Sequence, residues 1–97
     1  MSFRLTSKAA DDIVAIFQDG ARLFGGEQAE RYHLGLAQVF ALLAENPEMA
    51  RERKEITPPV RIHPYGAHLI VYLVEQNRDV LIVRVRHGHE EWRENPL

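Results

Sequence analysis

The stretch Val60-Arg61-Ile62-His63-Pro64-Tyr65-Gly66-Ala67-His68-Leu69-Ile70-Val71-Tyr72-Leu73-Val74-Glu75, followed after Gln76-Asn77-Arg78-Asp79 by Val80-Leu81-Ile82-Val83-Arg84-Val85-Arg86-His87, decides the fold. Val60 to His63 alternates apolar and polar, the period of a strand with one covered face. Pro64-Tyr65-Gly66 carries turn chemistry. His68 to Glu75 is rich in Ile, Val, Leu and Tyr, the composition of a central strand. Residues 76–79 form a polar hairpin loop, and Val80 to Val85 is a second near-continuous apolar run. Such a run predicts burial on both faces, or a partner over one of them. The segment therefore reads as a three-strand antiparallel meander from Val60 to His87.

Upstream, the period changes from two to between three and four. Ile13, Ile16, Phe17 and Phe24 share one face at helical spacing, with Gly20 between them. Ser7 stands where an N-cap belongs, and Asp11 and Asp12 lie early in the helix, where its dipole favours negative charge. Gly25-Gly26 stops this helix. A second begins near Glu27, with Ala29, Tyr32, Leu36, Val39, Phe40 and Leu43 as its apolar stripe, and Asn46-Pro47 ends it. A two-residue break implies an antiparallel helical hairpin. Phe3-Arg4-Leu5 alternates and predicts a short first strand. Glu48 to Pro59 reads as a polar loop, with room for one helical turn. Helices grouped before strands predict an α+β fold: one domain over residues 1–97, the hairpin packed on one sheet face. The other sheet face is expected to carry Arg and His side chains.

Composition narrows the function classes. The 97 residues include no cysteine, so disulfides and thiolate metal sites are excluded. Nothing near the N-terminus reads as a signal peptide, and no run approaches the roughly 20 apolar residues of a membrane span, so a cytoplasmic protein is expected. The net charge of −2 argues against general nucleic-acid binding. Its distribution is uneven. Residues 1–50 hold four basic and seven acidic side chains, residues 51–89 hold seven basic and four acidic, and the segment 90–97 is again acidic. A basic sheet region suits an acidic partner.

Several residues carry possible chemistry. His87 and His89, two apart on a strand, share a face in metal-ligand geometry, but no third ligand stands out, so a polar strand end is the expectation and neither metal nor cofactor is expected. His63, His68 and His87, with Arg61, Arg84 and Arg86, could form a site that activates a ribose hydroxyl and stabilises phosphate charge, or could line a solvated stripe. Tyr32 and Tyr72 read as core residues whose hydroxyls reach the rim. Trp92, in a polar segment, either folds back onto the domain or docks on a partner.

The ordered set of motifs resembles the ParE toxins of the RelE/ParE superfamily. Arg61, Gly66, His68 to Tyr72, and Ile82-Val83-Arg84-Val85-Arg86-His87-Gly88 match the family's arginine strand, glycine turn, central strand and closing "Ile-x-Arg-Val-x-His-Gly". Leu5 to Ile16 matches its "Leu-Thr-x-x-Ala-x-x-Asp-Ile-x-x-Ile" opening, and Gly25 to Tyr32 its "Gly-x-x-Gln-Ala-x-x-Tyr" helix start. The resemblance implies the toxin of a bacterial type II toxin–antitoxin system of the plasmid-stabilisation kind. It implies a non-enzymatic protein that poisons DNA gyrase and is neutralised by a ParD-like antitoxin. Sequence-specific contact with nucleic acid is not expected. RelE-type nucleases, the alternative, place arginine in the central strand where this chain has Leu69, and often end in a catalytic tyrosine, whereas here His87 is followed by Gly-His-Glu-Glu-Trp. A ribosome-dependent nuclease would use His87, Arg84 and Arg61. A third reading is a non-toxic binding module of the same fold. Candidate contacts for antitoxin or target are Arg61, His63, Tyr65, Tyr72, Arg84, Arg86, His87 and Trp92.

Overall fold

In a computed structural model, which describes residues 2–88, the order is β1 (Phe3–Leu5), α1 (Ser7–Phe24), α2 (Gly26–Glu45), β2 (Glu52–Arg53), β3 (Val60–Tyr65), β4 (His68–Val74) and β5 (Val80–His87). The five strands form one sheet in the order β1-β5-β4-β3-β2. The meander is present as expected, with β3, β4 and β5 antiparallel. β1 lies parallel to β5, Phe3 opposite Val80 and Leu5 opposite Ile82. The fold is α+β, with the helical hairpin against one face of the sheet.

Three local expectations change. The N-cap of α1 is Thr6, not Ser7: its hydroxyl accepts from the Ala9 amide at 3.0 Å and donates to the Val83 carbonyl at 2.7 Å. A threonine can cap a helix and hold a neighbouring strand at once, which fixes where β1 turns into α1. Pro64 and Tyr65 belong to β3, so the tight turn is Gly66-Ala67 alone, with Gly66 at φ 54°. Residues 48–59 contain no helix. They supply β2, whose two residues pair with Arg61 and Val60. Glu52-Arg53 has neither alternation nor β-branched composition, so this strand exists only because the β3 edge offers free backbone partners.

Two clusters hold the layers. On the helix side, Ala9, Leu36, Phe40 and Leu43 pack on Ile70, Tyr72, Val80, Ile82 and Val85, with Phe3 tilted against Phe40 at 5.5 Å. On the outer side, Val60, Ile62 and Val71 meet Ile56 from the preceding loop, with Leu69 and Val83 half-buried beside them. β5 has a bulge: Val71 pairs with Arg84 but Tyr72 pairs with Ile82, leaving Val83 unopposed. The extra residue shifts the alternation by one, so Val80, Ile82 and Val85 all reach the helix side. This accounts for the near-continuous apolar run.

The sheet faces are not divided as the sequence suggested. Residues opposite one another in a ladder share a face. His63 stands opposite Ile70, Arg61 opposite Tyr72, and His68 opposite His87, so the histidines and Arg61 lie on the helix side. The outer face is largely apolar, with Arg86 opposite Leu69.

Candidate functional site

A concavity lies between α1, α2 and the adjoining ends of β4 and β5. Its volume is about 460 Å³, and its walls include Ile13, Ile16 and Phe17 of α1 and Ala29, Tyr32 and Leu36 of α2. Leu23 and Phe24, at the hairpin tip, line it while remaining 61% and 64% exposed. Exposed side chains of that size give the groove an apolar mouth of the kind that marks an interaction site. Gly25, at φ 93°, caps α1 and passes directly into α2, and a Cβ on Gly20 would touch Ala29 of the facing helix.

The opposite end of the groove is polar. His68 and His87 face each other edge to face, ring centroids 5.3 Å apart, and both line the groove. The Tyr32 hydroxyl donates to the Tyr65 carbonyl at 3.0 Å and stands 2.7 Å from His68 Nδ1. Burial pushes the Tyr32 hydroxyl above its ordinary pKa, so it keeps its proton at neutral pH. Tyr65 returns the contact, its ring 4.9 Å from that of Tyr32. Two glycines admit these rings: a Cβ on Gly35 would overlap the Tyr65 hydroxyl, and one on Gly66 would press on the Tyr32 ring. α2 is thereby clasped to the β3–β4 turn.

Asp12 forms a third wall. Its carboxylate accepts from Arg84 Nε at 2.7 Å, from the second Arg84 nitrogen at 2.9 Å and from the Val85 amide at 3.0 Å. Among the described residues no strand lies beside the edge of β5 beyond Leu5, and Asp12 supplies an acceptor there. The sequence placed Asp12 by its charge near a helix start. Its actual partner is 72 residues away, which no local signal reports.

The sequence-predicted site residues divide into groups. His87 lines the groove, and Tyr65 braces its polar end. Arg84 is taken up by Asp12, and Arg61 donates to the Ala50 carbonyl at 2.6 Å, so neither guanidinium stands on an open basic face. Tyr72 is fully buried, its hydroxyl donating to the Pro47 carbonyl at 3.0 Å and accepting from the Ala50 amide at 3.4 Å. It holds the α2 exit and cannot reach a surface partner. His63 is half-buried on the helix side of β3, and Arg86 lies on the outer face. Trp92 and His89 fall outside the described residues. Phe17 and Phe24 belong to the helical stripe legible in the sequence, whereas Leu23 lies outside that stripe and joins the groove wall only in the structure. Among the described residues, no cluster of three potential metal ligands occurs, and no helix is long and apolar enough to cross a membrane.

The fold and site define a small α+β protein with an apolar groove between its two helices and the adjoining sheet ends. Residues 3–92 match the family model described as "ParE toxin of type II toxin-antitoxin system, parDE". The chain belongs to that family of toxins. Its fold is shared with a solved chain of the chromosomal ParDE TA system from P. aeruginosa. That chain is 24% identical, with a TM-score of 0.75 over 90% of this chain and 95% of the other. No curated protein sequence matches the chain.

Proposed function

We infer that this toxin acts by binding rather than by cutting: it poisons DNA gyrase and is neutralised by a ParD-like antitoxin that fills the α1–α2 groove. The observation that carries the reading is the groove, with two-thirds-exposed Leu23 and Phe24 at its mouth and a histidine pair at its end. An amphipathic helix laid into an apolar groove is a recurring mode of peptide recognition. Engagement of Arg84 by Asp12 and of Arg61 by Ala50 speaks against the nuclease alternative, which needs free cations around a scissile phosphate.

Expression without antitoxin tests the target. Gyrase poisoning predicts a DNA-damage response with translation intact, and cleaved DNA trapped by purified gyrase. Prompt loss of protein synthesis with cut mRNA would overturn the reading in favour of a nuclease. No growth effect from folded protein would favour a non-toxic binding module. For the groove, Leu23→Glu with Phe24→Glu should weaken antitoxin binding at least 100-fold without unfolding the chain, since both side chains are already exposed. Unchanged affinity would remove the groove from the interface.

A further inference from the structure

We propose that in the antitoxin-free toxin Trp92 seats in the α1–α2 groove, so that the chain's own residues 89–97 cover Phe17, Leu23 and Phe24 and an antitoxin must displace them to bind. The seat rests on the groove alone. The displacement rests on the reading that the antitoxin occupies that groove.

The placement follows from where β5 delivers the chain. The Gly88 amide donates to the Ala67 carbonyl at 2.9 Å, and Ala67 and His87 both line the groove. β5 meets α1 first at Val83, whose carbonyl accepts from the Thr6 hydroxyl, and then at Val85, whose amide donates to Asp12. The strand therefore advances in the same sense as α1, and it brings the chain to the groove heading for the hairpin tip. From Asp12 to Phe24, α1 rises about 18 Å. From Val85, beside Asp12, to Trp92 is a reach of up to roughly 23–25 Å. The segment is long enough to bring the indole to Leu23 and Phe24, with slack for a turn.

The chemistry of the two partners matches. Residues 89–97, His-Glu-Glu-Trp-Arg-Glu-Asn-Pro-Leu, hold one aromatic side chain among polar neighbours. An indole gains most on aromatic and aliphatic surface with its N–H at a wet edge. The groove offers half-buried Phe17 and, at its mouth, exposed Leu23 and Phe24. Charge agrees. Asp19 lies on the groove wall with its side chain 66% exposed, and Arg93 directly follows Trp92, so a carboxylate stands where the guanidinium would arrive. The 3.6 Å contact of Asp19 with Arg22 is a surface pair and yields readily. The outer sheet face is a poorer seat, because Val60, Ile62 and Val71 are already buried there and Leu69 and Val83 half-buried. A segment tethered beside the groove has a high effective concentration. It lowers the fraction of toxin whose groove is open, and apparent antitoxin affinity falls by that fraction.

Trp92 is the single tryptophan of the chain, so its fluorescence reports the seat directly. In the full chain refolded free of antitoxin, emission should lie at shorter wavelength than in the urea-unfolded chain, with weaker quenching by acrylamide. Leu23→Glu with Phe24→Glu should return both readouts toward the unfolded values while the circular-dichroism melt stays cooperative. Leu34→Glu, 62% exposed on α2 but outside the groove, should leave them unchanged. Unfolded-like emission from the wild type overturns the seat. So does shielding that survives Leu23→Glu with Phe24→Glu, which puts the indole elsewhere on the domain, and shielding lost on dilution, which makes a second copy its host. The purified cognate antitoxin tests the displacement. With fluorotryptophan incorporated in the toxin alone, antitoxin should move the fluorine resonance away from its seated position. Trp92→Ala should raise antitoxin affinity about three- to tenfold, because the open groove becomes the main state. Unchanged or weaker affinity overturns the displacement. A resonance that keeps its seated position in a tight complex overturns the groove reading of the antitoxin and leaves the seat in place.

Discussion

Replacing Asp12 by alanine should strongly destabilise the chain, because it breaks a largely buried ion pair. Asp12 and Arg84 are each only 16% exposed, and the carboxylate accepts three hydrogen bonds, two from the guanidinium and one from the Val85 amide. Removing it leaves a mostly buried guanidinium without its counter-charge and a strand-edge amide without its acceptor. Breaking one partner of a buried pair costs roughly 3–5 kcal/mol, and the residual exposure of this pair moves the expectation to about 3 kcal/mol. A chain of this size has a total stability of about 5–15 kcal/mol, so a large share would be lost. With a urea dependence of about 1–1.5 kcal/mol/M, the unfolding midpoint should fall by about 2–3 M. Asp12→Asn keeps an acceptor for the amide but not the charge, and should lie between wild type and alanine. Adding Arg84→Met to Asp12→Ala removes the stranded charge and should recover about 1 kcal/mol or more. A midpoint shift below 0.5 M for Asp12→Ala, or no recovery in the double variant, would refute the idea that this pair closes the β5 edge.

Gly35→Ala should destabilise by about 1–2 kcal/mol in thermal or urea unfolding. The helix would ordinarily gain about 1 kcal/mol from that exchange, so the sign itself reports the overlap with Tyr65. Arg78→Gly should stabilise by about 0.5 kcal/mol, because Arg78 sits at φ 73° and gives up only an exposed pair with Glu48. Tyr72→Phe leaves the buried Pro47 carbonyl without its donor and should cost about 1–3 kcal/mol. Burial raises the Tyr72 and Tyr32 hydroxyls above their unfolded value of about 10, so their contribution is complete below that pH and is lost as pH rises through the folded value. The fall in melting temperature between pH 9 and pH 11 should therefore be steeper for wild type than for Tyr72→Phe.

The elements most visible in the sequence were those with a clear period. The stripe from Ala29 to Leu43, the stop at Asn46-Pro47 and the three strands from Val60 to His87 all have a hydrophobic rhythm or a breaker at the boundary. What escaped depends on contacts between distant segments. Glu52-Arg53 becomes a strand because an edge is free beside it. The bulge at Val83 hides in an unbroken apolar run, yet it decides which side of β5 faces the helices. Assigning the histidines to the outer face followed from alternation counted within single strands. The ladder pairing His63 with Ile70 reverses it. In the site, His87 and Tyr65 stood out as polar residues beside strands, whereas Asp12 and the uncovered part of the α1 stripe could not, since exposure is a property of what fails to pack.

The pairing of β1 with β5 has a temporal consequence. Phe3 to Leu5 find their hydrogen-bond partners only at Val80 to Ile82, and Thr6 is tied to Val83. During synthesis the helical hairpin leaves the ribosome long before the strands that complete its sheet. Contacts this remote in sequence slow folding, since a large loop must close before they form. One wall of the groove is α1 and α2, but its histidine end arrives with β4 and β5. Until then, Leu36, Phe40 and Leu43 have no sheet to cover them, and the emerging hairpin is a sticky, half-made surface. The chain thus presents its apolar helices first, and the strand β5 that joins β1 to the rest of the sheet arrives long after them.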